Sequence, residues 1–296
     1  VAQSKVAFLG LGSMGAPMAA ILARADVELA VWNRTPRPNA VPGARVADTV
    51  EDACRGADVV ITMLADDAAV AAVALGEKGV VACLARGGMH IGMSTVSVAL
   101  ARRLVDAHAA AGHSFVAAPV FGRPDAAAAR KLWIVPGGTA ADLARAEPLF
   151  AAMGQGTFPM PDPPRAALAK LLGNFLILAT IESVGEALTL AEKAGLDPAQ
   201  LLAMLTGTLF GSPVVQRYGQ ILAETTFEPA GFKMPLGLKD ANLAIQAGEE
   251  FRVPMPVANL ARERLLTALA QGREGWDWSG FASVIRESAG LAPRRK

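Results

Sequence analysis

The chain has 296 residues, which at roughly 150 residues per domain predicts about two domains. Hydrophobic residues make up 52% and charged ones 19%, a globular composition that excludes intrinsic disorder. Net charge is +1, and neither half, divided at Pro163, carries the basic excess of a nucleic-acid binder.

Mean hydropathy is +0.35, but the surplus is mostly alanine. The apolar stretch Ala166–Ile181 is interrupted by Lys170 and Asn174 and falls short of the ~18 clean residues of a membrane span, so no membrane association is expected. Cys54 and Cys83 sit in apolar helical contexts without metal-type spacing and read as small core residues of a reducing compartment. The chain opens on a strand at Val6 and not on a basic segment followed by an apolar one, which predicts a cytoplasmic protein.

From Lys5 to about Met160, short β-branched runs alternate with alanine-rich amphipathic stretches. Strands are predicted at Val6–Leu9, Val27–Trp32, Val59–Met63, Met89–Met93, Ser114–Ala117 and Leu132–Val135. Helices are predicted at Met14–Arg24, Ala68–Ala74, Val98–Ala111 and Ala140–Met153. Such alternation argues for βαβ units on a parallel sheet. The proline-rich segment from Phe158 to Pro164 breaks the pattern and predicts a boundary. One long helical pattern follows, Arg165–Ala194, ended by Gly195, with Asp197-Pro198 opening the next helix. The remainder reads as helices. The expected organisation is an α/β Rossmann domain over residues 1–163, an all-α substrate and dimerisation domain over 164–292 joined by the long helix, and a solvated tail at 293–296.

The first strand runs into Gly10-Leu11-Gly12-Ser13-Met14-Gly15 and then a helix. In this G-x-G-x-x-G pattern Gly10 serves a tight turn, Gly12 lets backbone approach a pyrophosphate, and Gly15 permits close helix–strand packing. The helix N-terminus offers N–H groups and a positive dipole to the phosphates. An acidic residue about 20 positions on would hold the ribose 2′-hydroxyl of NAD. Here the second strand instead ends in Asn33-Arg34-Thr35, with Arg37 close behind. An arginine with two small polar side chains suits a 2′-phosphate, so NADP(H) is favoured over NAD(H); the plainer reading of Arg34 is an ordinary surface charge.

These features resemble the β-hydroxyacid dehydrogenases, the family of 3-hydroxyisobutyrate dehydrogenase and of the tartronate semialdehyde and glyoxylate/succinic semialdehyde reductases, with its 6-phosphogluconate-dehydrogenase-like cofactor domain. The resemblance runs essentially end to end. Gly10 to Ala19 looks like the opening signature, and Asn33-Arg34-Thr35 is similar to NADP-preferring members. Met63-Leu64 begins a segment like the loop after the fourth strand, and Thr95 lies in one like the loop bordering the nicotinamide. Ala118-Pro119-Val120-Phe121-Gly122, followed by Arg123, resembles the substrate-binding segment. Lys170 and Asn174 match the catalytic K-x-x-x-N, and Lys239-Asp240 the late Lys-Asp pair, which the resemblance places at the cofactor and the substrate respectively. It implies a homodimer and reversible hydride transfer between NAD(P) and the alcohol carbon of a short 3-hydroxy acid.

Read from the residues alone, Lys170 and Asn174 are the strong polar groups of an apolar segment, and their spacing puts them on one helix face. Two such residues are more often a solvated edge. In the family setting Lys170 becomes the general acid/base, since a lysine partly desolvated by apolar neighbours can have its pKa lowered to that task, and Asn174 orients the substrate. The chain also departs from the family. Phe121 stands where a serine helps hold the substrate, Arg130 where a glycine is usual, and Ala117 where an aspartate is usual. Arg123 could bind an anion or point into solvent. His90, His108 and His113 lack the mutual spacing of a metal site or triad and read as structural or surface residues, and no metal is expected. Trp276 and Trp278 read as packing or dimer contacts. Two rival readings remain: an imine-reducing relative, favoured by Phe121 but disfavoured by Lys170, and a dinucleotide-binding scaffold without turnover.

Overall fold

The computed structural model describes residues 4–292, so the tail expected at 293–296 lies outside the described residues. The chain divides into two compact units, the first ending at Lys170 and the second beginning at Leu171.

The first unit is built on β1 (Ser4–Leu9), β2 (Val27–Trp32), β3 (Arg45–Val46), β4 (Val59–Thr62), β5 (Met89–Gly92) and β6 (Ser114–Ala117), all paired in parallel in the order β3-β2-β1-β4-β5-β6. Crossover helices are α1 (Gly15–Leu22), α2 (Val50–Cys54), α3 (Asp67–Leu75), α4 (Val80–Cys83) and α5 (Val98–Ala111). The central strands are covered on both faces, which is why β4 reads Val-Val-Ile-Thr with every residue buried. Alternation sorts β1: Phe8 joins Met18, Leu22 and Phe150 in one core, while Ala7 and Leu9 join Cys54, Val80 and Leu84 in another. Burial pushes the Cys54 thiol up to about 12, and Cys54 and Cys83 are both free. The strand order reverses direction beside β1, so the C-terminal ends of β1 and β4 border the crevice where open α/β sheets take ligands.

A second, smaller sheet carries β7 (Val120–Phe121), β8 (Leu132–Ile134) and β9 (Gly154–Thr157), with β7 antiparallel and β9 parallel to β8. Between these strands lie α6 (Pro124–Ala128) and α7 (Ala140–Met153). The pattern-based reading found β8 but not β3, β7 or β9. Two of these are only two residues long, and β9 reads Gly-Gln-Gly-Thr, so hydrophobic alternation had nothing to act on.

Helix α8 (Pro163–Lys193) is 31 residues long and runs continuously from the first unit into the second. By length and composition it is apolar enough to cross a membrane, with an 18-residue window of mean hydropathy 1.5. Lys170 and Asn174 still interrupt the run, as the sequence shows. On this helix Glu182 pairs with Arg264 at 3.3 Å, and burial raises the Glu182 carboxyl above its usual range.

The second unit continues with α9 (Pro198–Thr206), α10 (Pro213–Glu224), α11 (Met234–Phe251), α12 (Pro256–Ala270), a 3-10 turn at Trp278–Ala282 and α13 (Ser283–Ser288). Gly195, at φ +82°, closes α8, and Asp197 and Ser212 cap α9 and α10 through their side-chain oxygens. Trp278 is buried and donates its indole N–H to the Tyr218 hydroxyl at 3.0 Å, while Trp276 stacks on Phe227. Both tryptophans pack within the chain. The Asp277 carboxylate between them accepts the backbone N–H groups of Gly231, Phe232 and Ser279.

The three histidines, scattered in sequence, converge in space. His90 on β5 and His108 on α5 are buried, with His90 Nδ1 2.8 Å from His108 Nε2 and Thr62 Oγ1 2.9 Å from His90 Nε2. His113 lies against His108, ring centroids 5.7 Å apart. Burial and mutual proximity hold His90 well below the usual imidazole range and His108 at about 4, so both are neutral near pH 7. Among the described residues, no cluster of His, Cys, Asp or Glu could hold a metal.

Candidate functional site

The three glycines of the loop after β1 answer three different geometric demands. Gly10, at φ +103°, passes so close to the end of β4 that a Cβ would lie 2.3 Å from the Met63 carbonyl oxygen. A Cβ on Gly15 would lie 1.9 Å from the Gly10 carbonyl oxygen, so α1 can start beneath the loop only with glycine there. A Cβ on Gly12 would meet nothing within 4 Å. The loop is therefore open on the side where backbone could approach a phosphate. Gly12 and Ser13 are exposed, and Met14, the residue capping α1, makes no side-chain cap, so no capping side chain competes for the helix N-terminus. These features fit a dinucleotide pyrophosphate.

At the end of β2, Asn33 turns inward. Its Oδ1 accepts the Leu11 N–H at 2.8 Å and its Nδ2 donates to the Thr35 carbonyl at 2.7 Å. Arg37 donates to the Leu11 carbonyl at 2.9 Å. Leu11 is thus held at both backbone groups from the β2 side, whereas Arg34 and Thr35 stay exposed. No carboxylate lies between Asn33 and Ala40.

Two neighbouring loops are tied together. The Leu64 N–H donates to Ser94 Oγ at 2.8 Å, and the Ser97 N–H to Asp67 Oδ1 at 3.0 Å. Ser97 in turn caps α5 through the Leu100 N–H. Half-buried Met63, Leu64 and Thr95 are carried on these loops at the C-terminal edge of the sheet. Ser94 and Asp67 were not singled out from sequence, although a polar residue shortly after a parallel strand is a usable signal for such ties.

Phe121, half-buried on β7, lies under the Lys170 ammonium, with Nζ 4.1 Å from the ring centroid. Lys170 is itself buried. Gly122 is at φ +142°, and a Cβ there would lie 2.6 Å from Leu132 Cδ2, so the turn after Phe121 has a packing reason for its glycine. Arg123 is half-buried at the start of α6. Arg130 sits at φ +60°, a left-handed conformation that glycine adopts without strain, and its Nε donates to the Ala152 carbonyl at 2.8 Å.

Within the second unit, Asn174 Nδ2 donates to Asp240 Oδ2 at 2.6 Å, and Lys239 Nζ lies 2.9 Å from Asp240 Oδ1. Asn174 and Asp240 are buried and Lys239 half-buried. Asp240 thus fixes the Asn174 amide and draws in a cation from its own helix.

Comparison with known proteins covers both units. Residues 5–161 match the model of the NAD-binding domain of 6-phosphogluconate dehydrogenase, and residues 165–285 that of the NAD-binding region of NADP-dependent 3-hydroxyisobutyrate dehydrogenase. The chain is 43% identical over 286 residues to the oxidoreductase YfjR of Bacillus subtilis, covering 95% of this chain and all of that one. It is 34% identical over 298 residues to 3-hydroxyisobutyrate dehydrogenase of Pseudomonas aeruginosa, covering 96% of this chain and 99% of that one. The structure of Mycobacterium tuberculosis 3-hydroxyisobutyrate dehydrogenase with L-serine superposes with a TM-score of 0.85 at 29% identity, over 96% of this chain and 100% of that one. A parallel sheet of this strand order, an open glycine loop at its switch point, a long helix leading into an all-helical unit, and matches along the length of the chain converge on one conclusion: the chain belongs to the β-hydroxyacid dehydrogenase family of NAD(P)-dependent oxidoreductases.

Proposed function

We propose that the protein transfers a hydride between NADP(H) and a small hydroxy acid or its semialdehyde or keto form, with Lys170 as general acid/base. The observation that carries this reading is the pair Lys170 and Asn174, both buried on α8 one helical turn apart. When bound, the nicotinamide dinucleotide supplies or accepts the hydride at the substrate carbon. Reduction also needs a proton at the carbonyl oxygen, and oxidation must remove one from the hydroxyl. Lys170 Nζ gives or takes that proton, held in place by the face of Phe121. Asn174, its amide fixed by Asp240, orients the substrate.

Gly10, Leu11, Gly12, Ser13, Met14 and Gly15 cradle the pyrophosphate, Met63, Leu64 and Thr95 border the dinucleotide, and Arg34 with Thr35 takes the 2′-phosphate. Lys239 adds a cation for the cofactor, and Asp240, Gly122 and Arg123 belong to the substrate side. The reading assigns residues 1–163 to the cofactor and 164–292 to substrate and dimerisation. A homodimer is supported by α8, which leaves Leu172, Leu176 and Leu190 exposed. Phe121, in place of a hydroxyl side chain, favours imine reduction as a second reading.

The test is a panel of short semialdehydes, keto acids and cyclic imines, assayed with NADPH and NADH side by side. Faster turnover of the carbonyl acids with NADPH is expected. Preference for the imines would replace the first reading by the second, and no turnover with either class would return the protein to a binding scaffold.

A further inference from the structure

Beside Phe121 the first unit has an open recess of about 460 Å³, lined by Phe121, Trp133, Val135, Phe158, Met160 and Ala169. Every lining residue is apolar. The recess is also held in shape. Trp133 and Phe158 lie with ring centroids 5.4 Å apart, yet remain 42% and 55% exposed. Trp133 is the outward member of β8, between buried Leu132 and Ile134. It packs so closely on β9 that a Cβ at Gly156 would lie 2.5 Å from its ring. An aromatic pair fixed by the backbone and left open to water is a surface that gains from being covered by apolar groups.

The recess adjoins Lys170 through two residues. Phe121 is a shared wall, presenting one part of its surface to the recess and its face to the Lys170 ammonium, and Ala169 is the residue preceding Lys170. A molecule engaging both would have a polar, oxygen-bearing end at Lys170 and an apolar substituent along Trp133 and Phe158. We infer that the recess is a substrate subsite, and that the preferred substrate is a 3-hydroxy acid, or its semialdehyde, bearing a branched aliphatic or aryl group on carbon 2. A volume of this size lies in the range of small-molecule pockets and exceeds what a hydrogen or methyl substituent needs. This inference rests on the proposed role of Lys170, and its test separates the two.

The full-length protein is assayed for oxidation of 3-hydroxypropanoate and its 2-methyl, 2-isobutyl and 2-benzyl derivatives with NADP⁺. In parallel, 2-isobutyl-3-hydroxypropanoate is titrated against tryptophan fluorescence in the wild type and in Trp133→Phe. Transfer of one methylene from water corresponds to about fourfold, so kcat/KM is expected to rise at least ~10-fold from the 2-methyl to the 2-isobutyl acid. Trp133→Ala and Phe158→Ala, at exposed positions, should lower that ratio about as much, and Phe121→Ser should tilt preference toward the short acids. The fluorescence response should be present in the wild type and lost in Trp133→Phe. A Trp133 response without oxidation of any acid would support the subsite while removing the proposed hydride-transfer function. Oxidation that is flat or falling across the series, with no Trp133 response, would overturn the subsite and leave that function standing. A Trp133 signal that changes on dilution but not with the acids would assign the recess to a second copy of the chain and overturn the inference.

Discussion

The side-chain oxygen of Asn33 accepts the backbone N–H of Leu11 at 2.8 Å, so the residue just after β2 is a brace for the glycine loop after β1. Asn33→Ala would leave that buried N–H without its partner, a cost of about 1–3 kcal/mol. Affinity for NADPH and NADH should then fall together, with a lower Tm. Arg34→Asp should behave differently. It places a carboxylate where the 2′-phosphate is proposed to sit, so NADPH binding should weaken more than NADH binding. Equal losses in Arg34→Asp, read by titration of the two cofactors, would show that Arg34 does not discriminate between them.

Lys170 sits buried over the face of Phe121, which suits a group held at one position for proton transfer. Lys170→Ala should reduce kcat by at least ~10²-fold, the usual worth of a positioned acid or base. Cofactor affinity should hardly change, because the glycine loop is built by β1 and α1. Lys170→Arg should not restore turnover, since a guanidinium stays charged and cannot cycle a proton. Asn174→Ala should act mainly on kcat/KM. Near-normal turnover in Lys170→Ala would mean that the proton has another source.

The neutral His90 and His108 make stability pH-dependent. In the unfolded chain they take up protons near pH 6.5, whereas folded His108 does so only near pH 4 and folded His90 well below the ordinary value. The unfolded state therefore binds more protons in this window, and stability is lost as pH falls from about 6.5 toward 4. Urea midpoints between pH 7.5 and 5 read the effect above most carboxylate titrations, with the raised Glu182 carboxyl acting in the opposite direction. His108→Asn should flatten the slope. A midpoint constant over that range in the wild type would show that the histidines charge inside the fold.

The exposed leucines of α8 predict self-association. Light scattering at working concentration should report a dimer, and Leu176→Glu, at a position 62% exposed, should shift the mass toward the monomer with the helical content retained. A monomeric wild type would remove the dimer from the proposal.

Much of the fold was legible from local pattern. β2, β6, α5 and α7 begin and end where periodicity put them, because buried parallel strands and amphipathic helices write their environment into consecutive side chains. The glycine loop was legible for a related reason. Close backbone approach at Gly10 and Gly15 leaves a single residue type able to stand there. What the tertiary structure decided depends on residues distant in sequence. No spacing rule links His90 to His108 and Thr62, because a strand, a helix and a neighbouring strand meet only after the sheet has formed. Asn33 was read as a cofactor residue from its place after β2, whereas its bond to Leu11 was not legible, because only pairing of β1 with β2 brings Leu11 within its reach. The recess beside Phe121 likewise requires β7, β8 and the residues around β9 to come together, two of those strands too short or too glycine-rich to leave a periodic trace. Sequence by itself specified the longer strands and helices of the first unit and its glycine loop, since those are local steric and hydrophobic requirements; the surface beside Lys170 was settled by contacts that exist only once distant strands are paired.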